Sequence, residues 1–358
     1  MTEFNLWVFG DAHVGTDKRH GIDSLAKALR DSESDAFEWD IAIDIGDMSG
    51  GQNVPEDAEG AEVAQQFHAL SRHRREAVYS VCGNHDRSGL CGPQNWWWRK
   101  WVDPTGEHTE HSGVRSERRP CPIEGTWERY SFRAGNLLFL MMSDINEPSQ
   151  TVGRGDLGGN PGGVVSGETF RWWQRQVEAN PEAIIISVHH YMLKNTTVAS
   201  GPWEGMDKNA AGEWISGYHG YKPLGTPEGA SYLYWVGSVP DAGAFESHLE
   251  EHPGSVALWL GGHTHAHPDA DAGGKSHVET RWGTHFINAG SLTRYHVNPH
   301  YTNPPKSRLL TFTEGSDEVR VCCYMHTDEF LPKGWYRDAE RVLHLPSAFE
   351  APAFSREG

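Results

Sequence analysis

Five short polar clusters in this chain each follow a run of apolar residues. They are Asp11-Ala12-His13, Gly46-Asp47, Gly83-Asn84-His85-Asp86, His189-His190 and Gly261-Gly262-His263-Thr264-His265. Between them they offer carboxylate, amide oxygen and imidazole. Donors of this kind without thiolate suit Zn²⁺, Mn²⁺ or Fe at a hydrolytic centre. There are more donors than one ion needs, so two metal ions are expected, polarising a shared hydroxide. Asp11 and His13 are two residues apart, as are His263 and His265, so each pair can converge from one loop or divide between two ions.

The elements that must position these residues can be read from the runs before them. Leu6–Phe9, Ile41–Ile45, Ala77–Cys82, Ala183–Val188 and Val256–Leu260 are short, apolar and rich in β-branched residues. That is the pattern of buried strands. Open sheets with helical crossovers place ligands beyond the carboxyl ends of their strands. Residues 21–30 and 58–76 read as helices, with Ile22, Leu25 and Leu29 on one face of the first and Val63, Phe67 and Leu70 on one face of the second. Strand, helix, strand, helix, strand over the first 85 residues predicts right-handed βαβ crossovers. Further on, 137–142 reads as a strand, 167–179 and 241–252 as helices, and 284–289, 308–313 and 318–324 as strands of a second sheet. Residues 331–358 read as a loosely packed tail.

Two stretches, 87–130 and 191–240, lack a clear period and exceed ordinary loop length, which suggests a functional role. Their aromatic residues include Trp96, Trp97, Trp98, Trp203, Trp214, Tyr218, Tyr221 and Tyr234. These either stack on a substrate or pack the insertions together or against a second subunit.

With these residues in view, the chain resembles the calcineurin-like metallophosphoesterases. The matching clusters run in the expected order from residue 10 to 265, and His285–Leu292 resembles the strand and turn that close that domain. The resemblance implies an α/β, four-layer fold, with two mixed β-sheets packed face to face and flanked by helices. The domain would span 1–325, with 87–130 and 191–240 as insertions forming a cap and 326–358 as a C-terminal tail. It implies that Asp11, His13 and His265 hold one metal, that Asn84, His189 and His263 hold the other, and that Asp47 bridges both. His190 would pack behind His189 or face the pocket. His85 would give a proton to the leaving group or a hydrogen bond to a phosphoryl oxygen, with Asp86 holding its tautomer. Asp44 and Asp144 are candidates to support the ligands, Arg87 and Arg294 are candidates for phosphate contact, and His267 and Asp269 read as solvated loop residues, with a place at the pocket rim as the alternative.

The implied activity is metal-dependent phosphoester hydrolysis by attack of a metal-bridging hydroxide, with a small organic phosphodiester as the expected substrate. The alternatives are a phosphomonoesterase, a nuclease and a non-catalytic scaffold of the same fold. The 358 residues carry 49 acidic and 31 basic side chains, a net charge of −18. That disfavours a long nucleic acid, which needs a basic stripe. No long apolar stretch predicts membrane insertion, and no leader is apparent, so a cytoplasmic protein is expected. A homo-oligomer formed through the insertions is compatible with the sequence. The five cysteines match no metal or redox spacing, although Cys91 and Cys121 bracket an irregular stretch and are a candidate pair.

Overall fold

The computed structural model describes residues 2–19, 23–34, 36–51, 53–88, 94–146, 163–201, 206–208, 214–216, 231–237, 239, 243–293, 304–327 and 332–352. Two mixed seven-stranded sheets form its centre. In the first, the path runs Gly334–Trp335, Glu318–Met325, Lys306–Thr313, Glu3–Phe9, Ile41–Asp44 and Val78–Ser80, and Arg341–His344 also pairs with Glu318–Met325. In the second it runs Val278–Arg281, Thr284–Asn288, Leu258–Gly261, Ile184–Val188, Leu137–Met142, Arg129–Ala134 and Glu124–Gly125. The strands that precede the polar clusters are parallel neighbours: Glu3–Phe9, Ile41–Asp44 and Val78–Ser80 in one sheet, Ile184–Val188 and Leu258–Gly261 in the other.

Period-two alternation explains the layers. Phe4, Leu6 and Val8 enter a core shared with Phe139, Ile186 and Leu260 of the other sheet. The intervening Trp7 and Phe9 face outward and pack with Leu25, Leu29 and Val63 of the helices Ser24–Ser32 and Asp57–Gln66. On the second sheet, Leu138, Ile185, Trp259 and Phe286 face outward beneath Trp173 and Val177 of the helix Gly167–Ala179 and Phe245 and Leu249 of the helix Gly243–Glu251. The order is therefore helix, sheet, sheet, helix. Strands covered on both faces must be apolar throughout, which is why their runs are nearly unbroken. Each fully buried Leu, Ile or Phe contributes about 1.5–3 kcal/mol by leaving water.

The observed fold departs from the sequence reading at several places. A short helix, Val14–Arg19, precedes the one read at 21–30, which begins at Ser24; Ile22 lies outside the described residues. The helix read at 58–76 ends at Gln66 with one 3₁₀ turn, Phe67–Ala69. It stops because Glu33 takes the next free amides: its carboxylate accepts from the backbone N–H of Ser71, Arg72 and His73. Lys306–Thr313 and Glu318–Met325 return to the first sheet, antiparallel to Glu3–Phe9, instead of building the second. The segment read as a loose tail adds Gly334–Trp335 and Arg341–His344 to that sheet and buries Leu345 and Phe349 in the shared core.

Within 87–130 the tryptophan run forms a short helix, Trp96–Trp101. Trp97 and Trp98 are core residues packed with Phe9 and Val63, whereas Trp96 is 39 % exposed. Trp203, Tyr218, Tyr221, Arg294 and Cys91 lie outside the described residues, as does the side chain of Trp214. No described helix is long and apolar enough to cross a membrane.

Candidate metal centre

The polar clusters from both sheets meet at one end of the sandwich. Asp11 N–H donates to the Gly46 carbonyl and His13 N–H to the Asp47 carbonyl, which joins the first two loops. Gly262 N–H donates to the His190 carbonyl, and Thr293 N–H to the Asp11 carbonyl, which joins loops of the two sheets. Two glycines make the closeness feasible. A Cβ on Gly83 would lie 2.2 Å from Asp47 Oδ1, and one on Gly262 would lie 2.7 Å from Asp11 Oδ2. Both carboxylates pass directly over bare backbone.

Five of the predicted ligands hold left-handed backbone. The φ angles are 52° at Asp11, 47° at His13, 58° at Asp47, 68° at His263 and 46° at His265. Non-glycine residues avoid this region, and each such residue costs on the order of 1–3 kcal/mol when the surroundings impose it. The same turn conformation recurring at the ends of Glu3–Phe9, Ile41–Asp44 and Leu258–Gly261 aims side chains at one point.

Three groups of donors result, of which one, His13, Asp47 and His85, brings the His85 ring to the same centre, and the other two hold most of the predicted ligands. Asp11, His13 and His265 form the first of these two, with His265 Nε2 2.8 Å from Asp11 Oδ1 and 3.1 Å from His13 Nε2. The second contains Asp47, His190 and His263. In it, His190 Nε2 lies 3.2 Å from Asp47 Oδ2, 3.2 Å from His263 Nδ1 and 3.2 Å from Asn84 Oδ1. Asp47 stands between these two groups, its Oδ2 also 3.7 Å from His13 Nε2. Two ligands of one ion, each about 2.0–2.1 Å from it, sit about 2.9–3.4 Å apart for right-angled to tetrahedral placement. The observed spacings fall around that range. The histidines and carboxylates are buried, and Asn84 is the half-buried member. The residues present therefore fit a pair of metal ions.

One predicted ligand, His189, is not brought together with the others. His190, not His189, reaches Asp47, Asn84 and His263. Ile184, Ile186 and Val188 face the core between the sheets, and alternation carries His190 to the same side. There its Nδ1 donates to the Ile45 carbonyl at 2.8 Å, which leaves Nε2 for the centre. His189 points to the other side and accepts from Tyr191 N–H at its Nδ1, 3.0 Å away.

Electrostatics separate the two rings. Burial and the neighbouring His190 push His189 down to about 3. Burial, the largest single influence, would lower His190 too, but Asp47, Asp11 and the hydrogen bond to the Ile45 carbonyl together raise His190 to about 10. His13 falls to about 4, chiefly through burial. The pair of carboxylates thus draws positive charge onto His190, the demand that a bound cation would meet.

His85 and Asp86 sit in the same loop and do different things. His85 Nδ1 donates to the Gly51 carbonyl at 2.6 Å, and the His85 backbone N–H donates to Asp47 Oδ1 at 2.8 Å. Its ring meets His13 edge-on, with centroids 4.6 Å apart. Asp86 does not touch the His85 ring through any described hydrogen bond. Its carboxylate accepts from the backbone N–H of Asp47, Ser49 and Gly83 at 2.8, 2.9 and 3.0 Å. Gly51 takes the place expected of Asp86 beside the His85 ring, because the Asp86 carboxylate is engaged by two amides of the Asp47 loop and one of its own. Asp86 instead ties the Asp47 turn to the Gly83 turn.

Asp44 and Asp144 lie behind the centre. Asp44 Oδ1 accepts from Gly46 N–H at 3.0 Å, and burial raises the carboxyl to about 7. Asp144 accepts from Val164 N–H at 2.8 Å and lies 3.8 Å from Arg87 Nε; burial raises it to about 6. Arg87 is turned to Asp144 and to the Ile145 carbonyl, away from the phosphate-contact role considered for it. His267 is buried and Asp269 accepts from the Tyr336 hydroxyl. One residue of the centre escaped the sequence reading. Tyr191 lies 3.0 Å from Asn84 Oδ1. Its only signal was an aromatic directly after the paired histidines.

No protein-family model matches the sequence, and no curated protein matches it. Solved structures do resemble the chain. A conserved uncharacterized protein of Streptococcus pneumoniae TIGR4, described as a predicted phosphoesterase, aligns over 96 % of this chain and 99 % of its own length, with 10 % identity and a TM-score of 0.35. Vacuolar Protein Sorting 29 of Cryptosporidium parvum aligns over 96 % of this chain and 100 % of its own, with 12 % identity and a TM-score of 0.35. The NAD nucleotidase of Haemophilus influenzae aligns over 96 % of this chain, which spans 50 % of that protein, with 9 % identity and a TM-score of 0.38. These are likenesses of fold.

Proposed function

We propose that the protein is a metal-dependent phosphoester hydrolase acting on a small organic phosphodiester. The observation that carries the reading is the convergence of buried imidazole, carboxylate and amide donors at ligand spacing, five of them on left-handed backbone. Asp11, His13 and His265 would hold one ion, Asn84, His190 and His263 the other, and Asp47 both. Two such ions, Mn, Fe or Zn, would supply Lewis acidity to a phosphoryl oxygen and lower the pKa of water.

The chain's own part is proton handling and order. Gly51 fixes His85 with its Nδ1–H engaged. In protonated His85, Nε2 carries a second N–H, and this proton passes to the leaving alkoxide as the P–O bond breaks. Asp86 keeps the Asp47 and Gly83 turns in register, so that Asp47 and Asn84 face one another across the centre.

A diester carries one negative charge and a monoester up to two. The choice of a diester is supported by the acidic chain and by Arg87, which spends its charge on Asp144. The net charge of −18 also speaks against a nuclease. A full donor set speaks against a scaffold, which has no need of a strained polar end.

The test is a substrate panel on the metal-loaded protein: bis-nitrophenyl phosphate, nitrophenyl phosphate, cyclic nucleotides, glycerophosphodiesters and phospholipid head groups, each with Mn, Zn and Fe. The expected result is a higher kcat/KM on diesters. A monoester preference would replace the substrate class with a phosphatase, and no turnover of any ester would overturn the reading.

A further inference from the structure

Tyr191 follows the ligand candidate His190 and is fully buried. Its backbone is held at both ends: the N–H donates to His189 Nδ1 at 3.0 Å and the carbonyl accepts from Trp259 Nε1 at 3.3 Å. Its ring lies across His263, with centroids 4.0 Å apart at 35°, and meets His190 edge-on at 5.1 Å. Gly163 closes the third side. A Cβ there would lie 2.3 Å from Tyr191 Cδ2, so the ring occupies the room that the missing side chain leaves. From this fixed position the hydroxyl donates to Asn84 Oδ1 at 3.0 Å.

Asn84 is the one neutral oxygen donor among the candidate ligands. Its amide has two ends, and only the carbonyl end can ligate a cation. An amide oxygen has two lone pairs. A donor on one of them selects the orientation and leaves the other for the ion, whereas an amide turned about would present N–H groups.

We infer that Tyr191 is a positioning residue for the second metal ion: its hydroxyl sets the Asn84 amide with oxygen toward the ion, and its ring packs on the His263 imidazole and limits its movement. The inference rests on the two-metal reading above. Partners of ligands in this role change metal affinity about 10- to 100-fold when removed.

The test is titration of the full, metal-stripped chain with Zn²⁺ by calorimetry, resolved into two sites. Tyr191→Phe keeps the ring and loses the hydroxyl. It is expected to weaken one site about 10- to 100-fold and leave the other unchanged. Gly163→Ala displaces the ring and should weaken the same site with the hydroxyl still present. In an Asn84→Ala background, Tyr191→Phe should cause no further loss at that site, because the hydroxyl would have nothing left to orient. Wild-type affinity at both sites in Tyr191→Phe, or an added loss in the Asn84→Ala background, overturns the inference while the two-metal reading stands. Wild-type protein that takes up fewer than two ions overturns both.

Discussion

The loops bearing Asp11, His13, Asp47, Asn84, His190, His263 and His265 and the strand pair bearing Ser307 and His326 both bring imidazole to carboxylate inside the protein, under opposite local conditions. Ser307 Oγ lies 2.9 Å from His326 Nε2, and His326 Nδ1 lies 3.1 Å from Asp31 Oδ2. Read as a distance pattern, that is a serine–histidine–aspartate relay. Yet Ser307 is fully buried in a regular strand, and its oxygen also accepts from Trp7 Nε1 at 2.9 Å. Asp31 is further held by Lys333. Each polar atom of the relay has a partner within the fold, and no substrate can reach the hydroxyl. At the loops, by contrast, ring nitrogens face ring nitrogens at 3.1 and 3.2 Å, the backbone is left-handed and Asn84 opens toward solvent. Relay geometry alone does not make a site. Strained backbone and donors crowded against donors mark the place where something else must bind.

That contrast is most sharply tested at His85. Replacing it with Ala or Asn should lower turnover by roughly 10²–10⁴, the range for positioned proton transfer, while both metals stay bound. The loss should shrink for nitrophenyl esters, whose leaving group needs little protonation. A variant that loses a metal would make His85 a ligand, and the division of roles given above would fail.

Ser307→Ala should do the reverse. It leaves Trp7 Nε1 and His326 Nε2 without their shared partner and should destabilise the fold by about 1–3 kcal/mol in urea unfolding. Turnover per folded molecule should be unchanged. A loss of activity at unchanged stability would show that the relay is more than packing.

A smaller effect should come from Glu33, far in character from either cluster. Burial opposes its ionisation, but hydrogen bonds from the Ser71 hydroxyl and from the backbone of Arg72, Ser71 and His73 hold its carboxyl down at about 2, against an ordinary 4.5. A depressed carboxyl stabilises the fold fully above about pH 4.5, and the contribution fades as pH falls through about 2. The stability gap between wild type and Glu33→Gln should therefore narrow between pH 5 and pH 2.5 in chemical denaturation. A gap that widens toward acid would contradict the assignment.

The strands were legible in the sequence because parallel strands buried on both faces must be apolar without a break, and the clusters after them stood out against that background. His190 stands where the resemblance implied His189, for a reason of phase. The alternation Ile184, Ile186, Val188 toward the inner core extends to His190, but motif order favoured His189. Parity along the strand would have decided it. Asp86 and Tyr191 were less legible, because their roles depend on which amides and rings other loops bring near. The end of the helix at Gln66 depended likewise on Glu33, more than thirty residues earlier. The last strand, Arg341–His344, is four residues long and mostly exposed, so it carries little pattern of its own. Its place is fixed by pairing with Glu318–Met325 and by the buried Leu345 and Phe349.

The seven convergent donors are proposed to form one centre for two ions, with Asp47 between them. Metal analysis of protein purified without chelator, followed by anomalous diffraction at the absorption edges of Mn, Fe and Zn, tests it directly. Two peaks per chain about 3.5–4 Å apart are expected, one beside Asp11, His13 and His265 and one beside Asn84, His190 and His263, with Asp47 beside both. A single peak, no peak after reconstitution, or a peak on His189 in place of His190 would contradict it.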